Sequence, residues 1–168
     1  MYIAVLADNV ADRKQTERLL GRANDVLSKE TGTLYIDSFG DMESLMHAPM
    51  KYELFLIDMS HSDTHGQSVA AALRKANVPG NIALMIPKDT PFSYQIVLDG
   101  LTTIQKPLVA STLHQLIRET HKEQLQTIIP KIEIRSENET YYIPLEQIIY
   151  AREKEHFVYV HLDNGKVL

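Results

Sequence analysis

The chain has 168 residues, 44% of them hydrophobic and 23% charged, which suits one or two ordinary folded domains and excludes a disordered or fibrous chain. Its 17 Lys and Arg residues against 22 Asp and Glu leave a net charge of −5, so no general basic surface advertises nucleic-acid binding. There are no cysteines, which excludes disulfide and thiolate chemistry and fits a cytoplasmic protein; no apolar run nears the ~20 residues of a membrane span, and the N-terminus lacks the basic start of a secretory signal.

Residues 2–7, YIAVLA, form a continuous apolar run bounded by Asp8 and Asn9. Such a run reads as a buried strand, as in a parallel sheet. Thr16, Leu19, Leu20, Ala23 and Leu27 then recur at helical spacing, with Gly32 as a stop. The alternation continues. A strand over 33–37 precedes a short helix at 41–47, and a strand over 52–58 precedes a helix with Val69, Leu73 and Ala76 on one face. A strand over 82–86 precedes a segment at 92–98, and a strand over 101–105 precedes a helix from about 109 that Pro130 ends at the latest. Five strands alternating with helices predict an α/β domain around a five-stranded parallel sheet.

Beyond Pro130 the pattern changes to short β-rich stretches, KIEIRS, TYYIPL, QIIYA and HFVYVHL, separated by turn signals of which Asp163-Asn164-Gly165 is the clearest. Antiparallel strands are expected here. The residues left after the boundary fall just below the ~40 that fold without staples, so this reads as part of a second, β-rich domain. Lys131, Arg135, Arg152, Lys154 and Lys166 are outnumbered by acids in this stretch, which argues against DNA binding by these residues alone.

Ligands of open α/β sheets bind outside the carboxyl ends of the strands. There the first strand delivers Asp8, the third delivers Asp58, and the fifth is followed by Lys106-Pro107. Two carboxylates can hold a hard divalent ion such as Mg²⁺. The ion and a lysine can then neutralise phosphoryl oxygens while a carboxylate attacks phosphorus. Each residue alone has a plainer reading, since Asp after a strand usually caps a helix and Lys-Pro is usually a loop. Their joint placement at three strand ends favours the chemistry.

Asp8, the stretch IDMSHSDTHG with Asp58 and Gly66, and Lys106-Pro107 together resemble the receiver domains of two-component response regulators, over residues 1–122. The resemblance implies a flavodoxin-like (CheY-like) fold and Asp58 as acceptor of a phosphoryl group from a sensor histidine kinase. It also implies Mg²⁺ held by Asp8, Asp58 and the backbone carbonyl of Ser60, with Lys106 contacting the phosphoryl group. The chain departs from the pattern at four places. Ala7 stands where receivers carry a further acid, Ile86-Pro87 where they carry Ser or Thr, and Thr103 where many carry an aromatic residue; the loop after Asp58 lacks the usual Met-Pro. His61, Asp63 and His65 could in principle bind a transition metal, but no second His pair or thiolate supports them, and solvated loop histidines are the simpler reading.

After a linker at 123–130, residues 131–168 resemble the N-terminal part of LytTR-type DNA-binding domains. Tyr141-Tyr142-Ile143-Pro144, the stretch from Leu145 to Tyr150, a polar loop ending at His156, and Phe157-Val-Tyr-Val carry the likeness. That family reads DNA with strands and loops. The resemblance implies DNA contacts from the loop holding Arg152, Lys154 and His156, with His156 the leading base contact. The alternative for His156 is a strand-edge histidine packed beside Tyr150 or Tyr159.

The expected function is therefore a homodimeric, non-enzymatic transcription regulator controlled by phosphotransfer and not attached to a membrane. The competing expectation, favoured by Ala7, Pro87 and Thr103, is a pseudo-receiver that dimerises or docks a partner without phosphorylation. A flavin carrier of the flavodoxin type is excluded, because Asn9-Val10-Ala11-Asp12 is no Ser/Thr/Gly-rich phosphate loop.

Overall fold

The computed structural model describes residues 1–60, 65–88, 101–126, 130–135 and 139–168. Strands β1 (Tyr2–Leu6), β2 (Tyr35–Phe39), β3 (Leu54–Asp58), β4 (Asn81–Ile86) and β5 (Thr102–Gln105) form one parallel sheet in the order β2-β1-β3-β4-β5. Helices α1 (Val10–Thr31), α2 (Met42–Met46), α3 (His65–Lys75) and α4 (Ala110–Gln126) accompany them. The five predicted strands and the parallel sheet are present. The segment expected at 92–98 lies outside the described residues.

Alternation along the central strands divides the core. Ile3, Val5, Leu54, Leu56, Met85 and Ile104 face one side, where Leu20 and Leu27 of α1 and Leu113 and Ile117 of α4 cover them. Ala4, Leu6, Phe55, Ile57, Ile82 and Leu84 face the other, against Leu45 of α2 and Val69 and Leu73 of α3. Side chains two apart on a strand share a face. Asp58, following Leu54 and Leu56, therefore belongs to the α1/α4 side, as does Lys106, following Ile104. The sheet places both functional candidates on one face before any contact is considered.

Several element ends differ from the sequence expectation by a residue or two, and two strand starts show the cause. The strand expected at 33–37 starts at Tyr35, because the Thr33 carbonyl accepts from the Met1 ammonium and the Leu34 N–H donates to Asn24 Oδ1. The third strand starts at Leu54, after a 3₁₀ turn at Pro49–Lys51 whose Pro49 carbonyl takes the Tyr52 N–H. Helix α4 ends at Gln126, before Pro130 as expected.

The chain divides into two compact units, Met1–Gln126 and Thr127–Leu168. The second unit holds two antiparallel hairpins, β6 (Lys131–Arg135) with β7 (Thr140–Pro144), and β8 (Ile148–Lys154) with β9 (Phe157–Leu162). They share a small apolar cluster of Ile143, Val160 and Leu162, flanked by Ile132, Ile134 and Leu168. The predicted turn at Asp163-Asn164-Gly165 is present: Gly165 has φ 81°, Asn164 Oδ1 accepts from the Lys166 N–H, and Leu168 pairs back onto Val160.

Candidate functional site

Asp58 ends β3 with its side chain 3% exposed, which would be costly for a bare carboxylate. It is not bare. Oδ1 accepts the Ser60 N–H at 2.9 Å and the Ser60 hydroxyl at 2.6 Å, and Oδ2 accepts Lys106 Nζ at 2.9 Å. Lys106 follows β5 directly, its N–H held by the Ile86 carbonyl at 2.7 Å and its peptide bond to Pro107 cis. The sheet thus joins two of the predicted site residues, and the third, Ser60, through its own N–H and hydroxyl.

Lys106 Nζ also donates to Asp12 Oδ2 at 2.9 Å and to Ser60 Oγ at 2.8 Å. Asp12 belongs to the first turn of α1, which Asn9 caps: its side chain accepts from the Ala11 and Asp12 N–H groups at 2.8 and 3.3 Å. Burial alone would lower the Lys106 pKa, but hydrogen bonds and charge attraction from Asp58 and Asp12 outweigh it and raise the pKa above the ordinary 10.5. Sequence reading missed Asp12, because an acid in a first helical turn is common for its favourable contact with the helix dipole.

Beside these residues lies a pocket of about 300 Å³ bordered by Asp12, Gln15, Ser60, Pro87, Lys88 and Lys106. Pro87 does stand at the site, where it offers neither a hydroxyl nor a backbone N–H. Thr103 is exposed on β5 opposite Leu84. Gln15 and Lys88 were not singled out from sequence, since neither belongs to a motif.

Asp8 is exposed just beyond β1, with Oδ1 accepting the Asn9 N–H at 2.8 Å. The β1–β3 register pairs Leu6 with Ile57, so Ala7, 2% exposed, comes level with Asp58 and Asp8 lies one residue further. The Ala7 carbonyl accepts Arg13 Nη1 at 2.6 Å. Among the described residues no three His, Cys, Asp or Glu side chains gather as a metal cluster. The donors on offer, two carboxylates and carbonyl groups, are all hard oxygens. They suit a Mg²⁺ ion that keeps several waters, not one caged by protein. His61 and Asp63 lie outside the described residues.

In the second unit the structure corrects one expectation. Arg152 and Lys154 are not in a loop; both are exposed residues of β8, paired with Tyr159 and Phe157. The connection is only Glu155-His156, both at positive φ (53° and 69°), as in a two-residue type I′ hairpin turn. His156 is exposed at this tip. The histidine stacked on Tyr150 is His161, at 4.2 Å between ring centroids, and the Arg152 guanidinium lies 6.0 Å from the Tyr159 ring.

No family model matches the chain. A curated relative, the sensory transduction protein LytT of Bacillus cereus, is 26% identical over 172 aligned residues, covering 99% of this chain and 68% of that protein. Solved structures match the sheet and its helices. A response regulator receiver domain protein (CheY-like) from Methanospirillum hungatei covers 74% of this chain and 97% of its own, at TM-score 0.57 and 15% identity. A response regulator receiver domain protein from Clostridium thermocellum covers 75% and 98%, at TM-score 0.61 and 12% identity. No described helix is long and apolar enough to cross a membrane. The chain therefore has the CheY-like receiver fold, followed by antiparallel strands, and is similar along nearly its whole length to the LytT sensory transduction proteins.

Proposed function

We propose that the protein is a cytoplasmic two-component response regulator in which Asp58 accepts a phosphoryl group from a sensor histidine kinase. The observation that carries this reading is the Asp58–Lys106 contact at the carboxyl ends of β3 and β5. An Asp58 oxygen bonds to phosphorus as the bond from phosphorus to the donor histidine nitrogen breaks, the electron pair leaving with that nitrogen. The Ser60 N–H and hydroxyl orient the attacking carboxylate. Lys106 supplies positive charge beside the arriving phosphoryl oxygens. Asp8, Asp58 and the Ser60 carbonyl would hold Mg²⁺, which when bound neutralises phosphoryl charge.

In this reading the strands after residue 126 belong to a LytTR-type DNA-binding domain, with His156 at the β8–β9 tip as a base contact and Arg152 and Lys154 as phosphate contacts. The relation to LytT supports it. Homodimerisation belongs to the same reading and is supported by the exposed Ile149, Phe157 and Val158 of the second unit. The test is beryllofluoride with Mg²⁺, followed by calorimetry. The wild type binds and Asp58→Ala does not; equal binding by both, or none by the wild type, removes the reading.

A second reading, a pseudo-receiver acting as a docking or dimerisation module, is favoured by one specific feature. The site is internally satisfied: Asp58 is held by Ser60 and Lys106, Lys106 is shared with Asp12, and Ala7 withholds an acid. A wild type that gains no phosphoryl mass with acetyl phosphate and Mg²⁺, yet dimerises, supports this alternative.

A further inference from the structure

The Lys106 ammonium has three N–H donors, and three acceptors take them: Asp58 Oδ2 and Asp12 Oδ2 at 2.9 Å each, and Ser60 Oγ at 2.8 Å. A phosphoryl oxygen on Asp58 can gain this ammonium only by displacing one of them. Ser60 is also bound to Asp58 Oδ1 through its hydroxyl, so it moves with the acceptor. Asp12 is different. It is anchored on α1, 94 positions away in sequence, by the Asn9 cap and by the helix itself. Its carboxylate holds the ammonium from a different element of the fold.

The same geometry brings two anions together. Both carboxylate oxygens touch one nitrogen, so they stand no further apart than twice the 2.9 Å contact. Today the lysine bridges them. A phosphoryl group turns the Asp58 monoanion into a near-dianion, about one net negative charge more, and leaves Asp12 facing it. At such a separation, with water-like screening, the one added charge is a repulsion equivalent to about threefold in an equilibrium. Asp12 is 31% exposed, so its field is not screened as fully as that of a free surface acid.

We propose that Asp12 is an anionic brake on the site: a positioning residue that competes with the phosphoryl group for Lys106 and repels the incoming phosphodonor, so that it sets how fully Asp58 is phosphorylated. The proposal rests on the reading of Asp58 as phosphoacceptor. It gives the chain a control that does not need a hydroxyl at position 87 or an aromatic ring at 103. It also explains why Lys106 is already engaged before any phosphoryl group arrives.

The test uses the full chain with Mg²⁺ and acetyl phosphate, whose acetate leaves with the electron pair of the broken phosphorus–oxygen bond. Intact mass follows the phosphorylated fraction in wild type, Asp12→Asn, Asp12→Glu and Asp58→Asn. Asp12→Asn reaches a phosphorylated-to-unphosphorylated ratio about threefold above wild type. It does so through a lower half-saturating acetyl phosphate concentration, with the maximal rate little changed. Asp12→Glu, which keeps the charge, stays near wild type. An Asp12→Asn ratio equal to or below wild type overturns the brake while leaving Asp58 as acceptor, and a parallel loss of Mg²⁺ affinity in that variant would make Asp12 a metal-side acid instead. If no variant gains a phosphoryl group that Asp58→Asn lacks, the underlying reading fails together with the brake.

Discussion

Lys106 Nζ lies 2.9 Å from Asp58 Oδ2 although 48 positions separate the two residues, because β3 and β5 flank β4 and present both side chains on the α1/α4 face. Asp58 is 3% exposed and Lys106 21%, so the pair is partly withdrawn from water, where an ion pair matters more than at the surface.

Removing the lysine strands Asp58 close to Asp12. Lys106→Met is expected to destabilise the first unit by about 1–3 kcal/mol, less than the loss of one partner from a fully buried pair because solvent reaches the site. Urea unfolding measures it. The double variant Lys106→Met/Asp58→Asn recovers part of the loss, since the uncompensated charge is gone.

Alkaline pH should act in the same direction. The folded state holds the Lys106 proton more tightly than the unfolded chain, whose lysine titrates near 10.5. The stabilisation is fully present below that pH and is lost as pH rises through the higher folded value. Between about pH 9 and pH 12 the wild type therefore loses more stability than Lys106→Met does. Parallel unfolding curves for the two proteins across that range would contradict the assignment.

Ala7 comes level with Asp58 and is buried, with Arg13 on its carbonyl. Ala7→Asp is expected to raise Mg²⁺ affinity by about tenfold, because a hard cation gains one anionic oxygen ligand. Without Mg²⁺ the same variant loses stability, because the new carboxylate is buried beside Asp58. Calorimetry of Mg²⁺ binding checks the first statement and thermal melting with and without the ion checks the second. Tight binding by the wild type with no gain on substitution would mean the ion is held elsewhere.

A ligand shifts a conformational equilibrium only by its differential affinity for the two states. Pro87 borders the site without a hydroxyl or N–H, and Thr103 carries no ring. Beryllofluoride with Mg²⁺ is thus expected to change the dimerisation constant by less than about tenfold, within the lower range of allosteric couplings. Sedimentation equilibrium on wild type and Asp58→Ala decides it. A larger shift that disappears in Asp58→Ala would show that another differential contact exists.

Much of the first unit was legible because its signals are local. The continuous apolar runs at β1, β3 and β4 mark strands buried on both faces, and Asp58 and Lys106 stand at strand ends, where this class of sheet binds ligands. Asp12 was not legible. Its meeting with Lys106 depends on how α1 packs over the sheet, and nothing in the sequence near either residue encodes it. The β8–β9 connection was misjudged for a similar reason. Glu155-His156 lacks the Asn-Gly or Asp-Gly signature of a type I′ turn, so the polar run Arg152–His156 resembled a loop, whereas pairing with Phe157 and Tyr159 draws Arg152 and Lys154 into the ladder. The start of β2 moved because side-chain and terminal groups, Asn24 and the Met1 ammonium, occupy the backbone of Thr33 and Leu34.

The most direct test of the account is to treat the full chain with acetyl phosphate and Mg²⁺ and to follow intact mass for wild type and Asp58→Asn. The account predicts that the wild type gains a single phosphoryl group and that Asp58→Asn gains none. A wild type that stays unmodified, or an Asp58→Asn protein that gains the same mass, would contradict it.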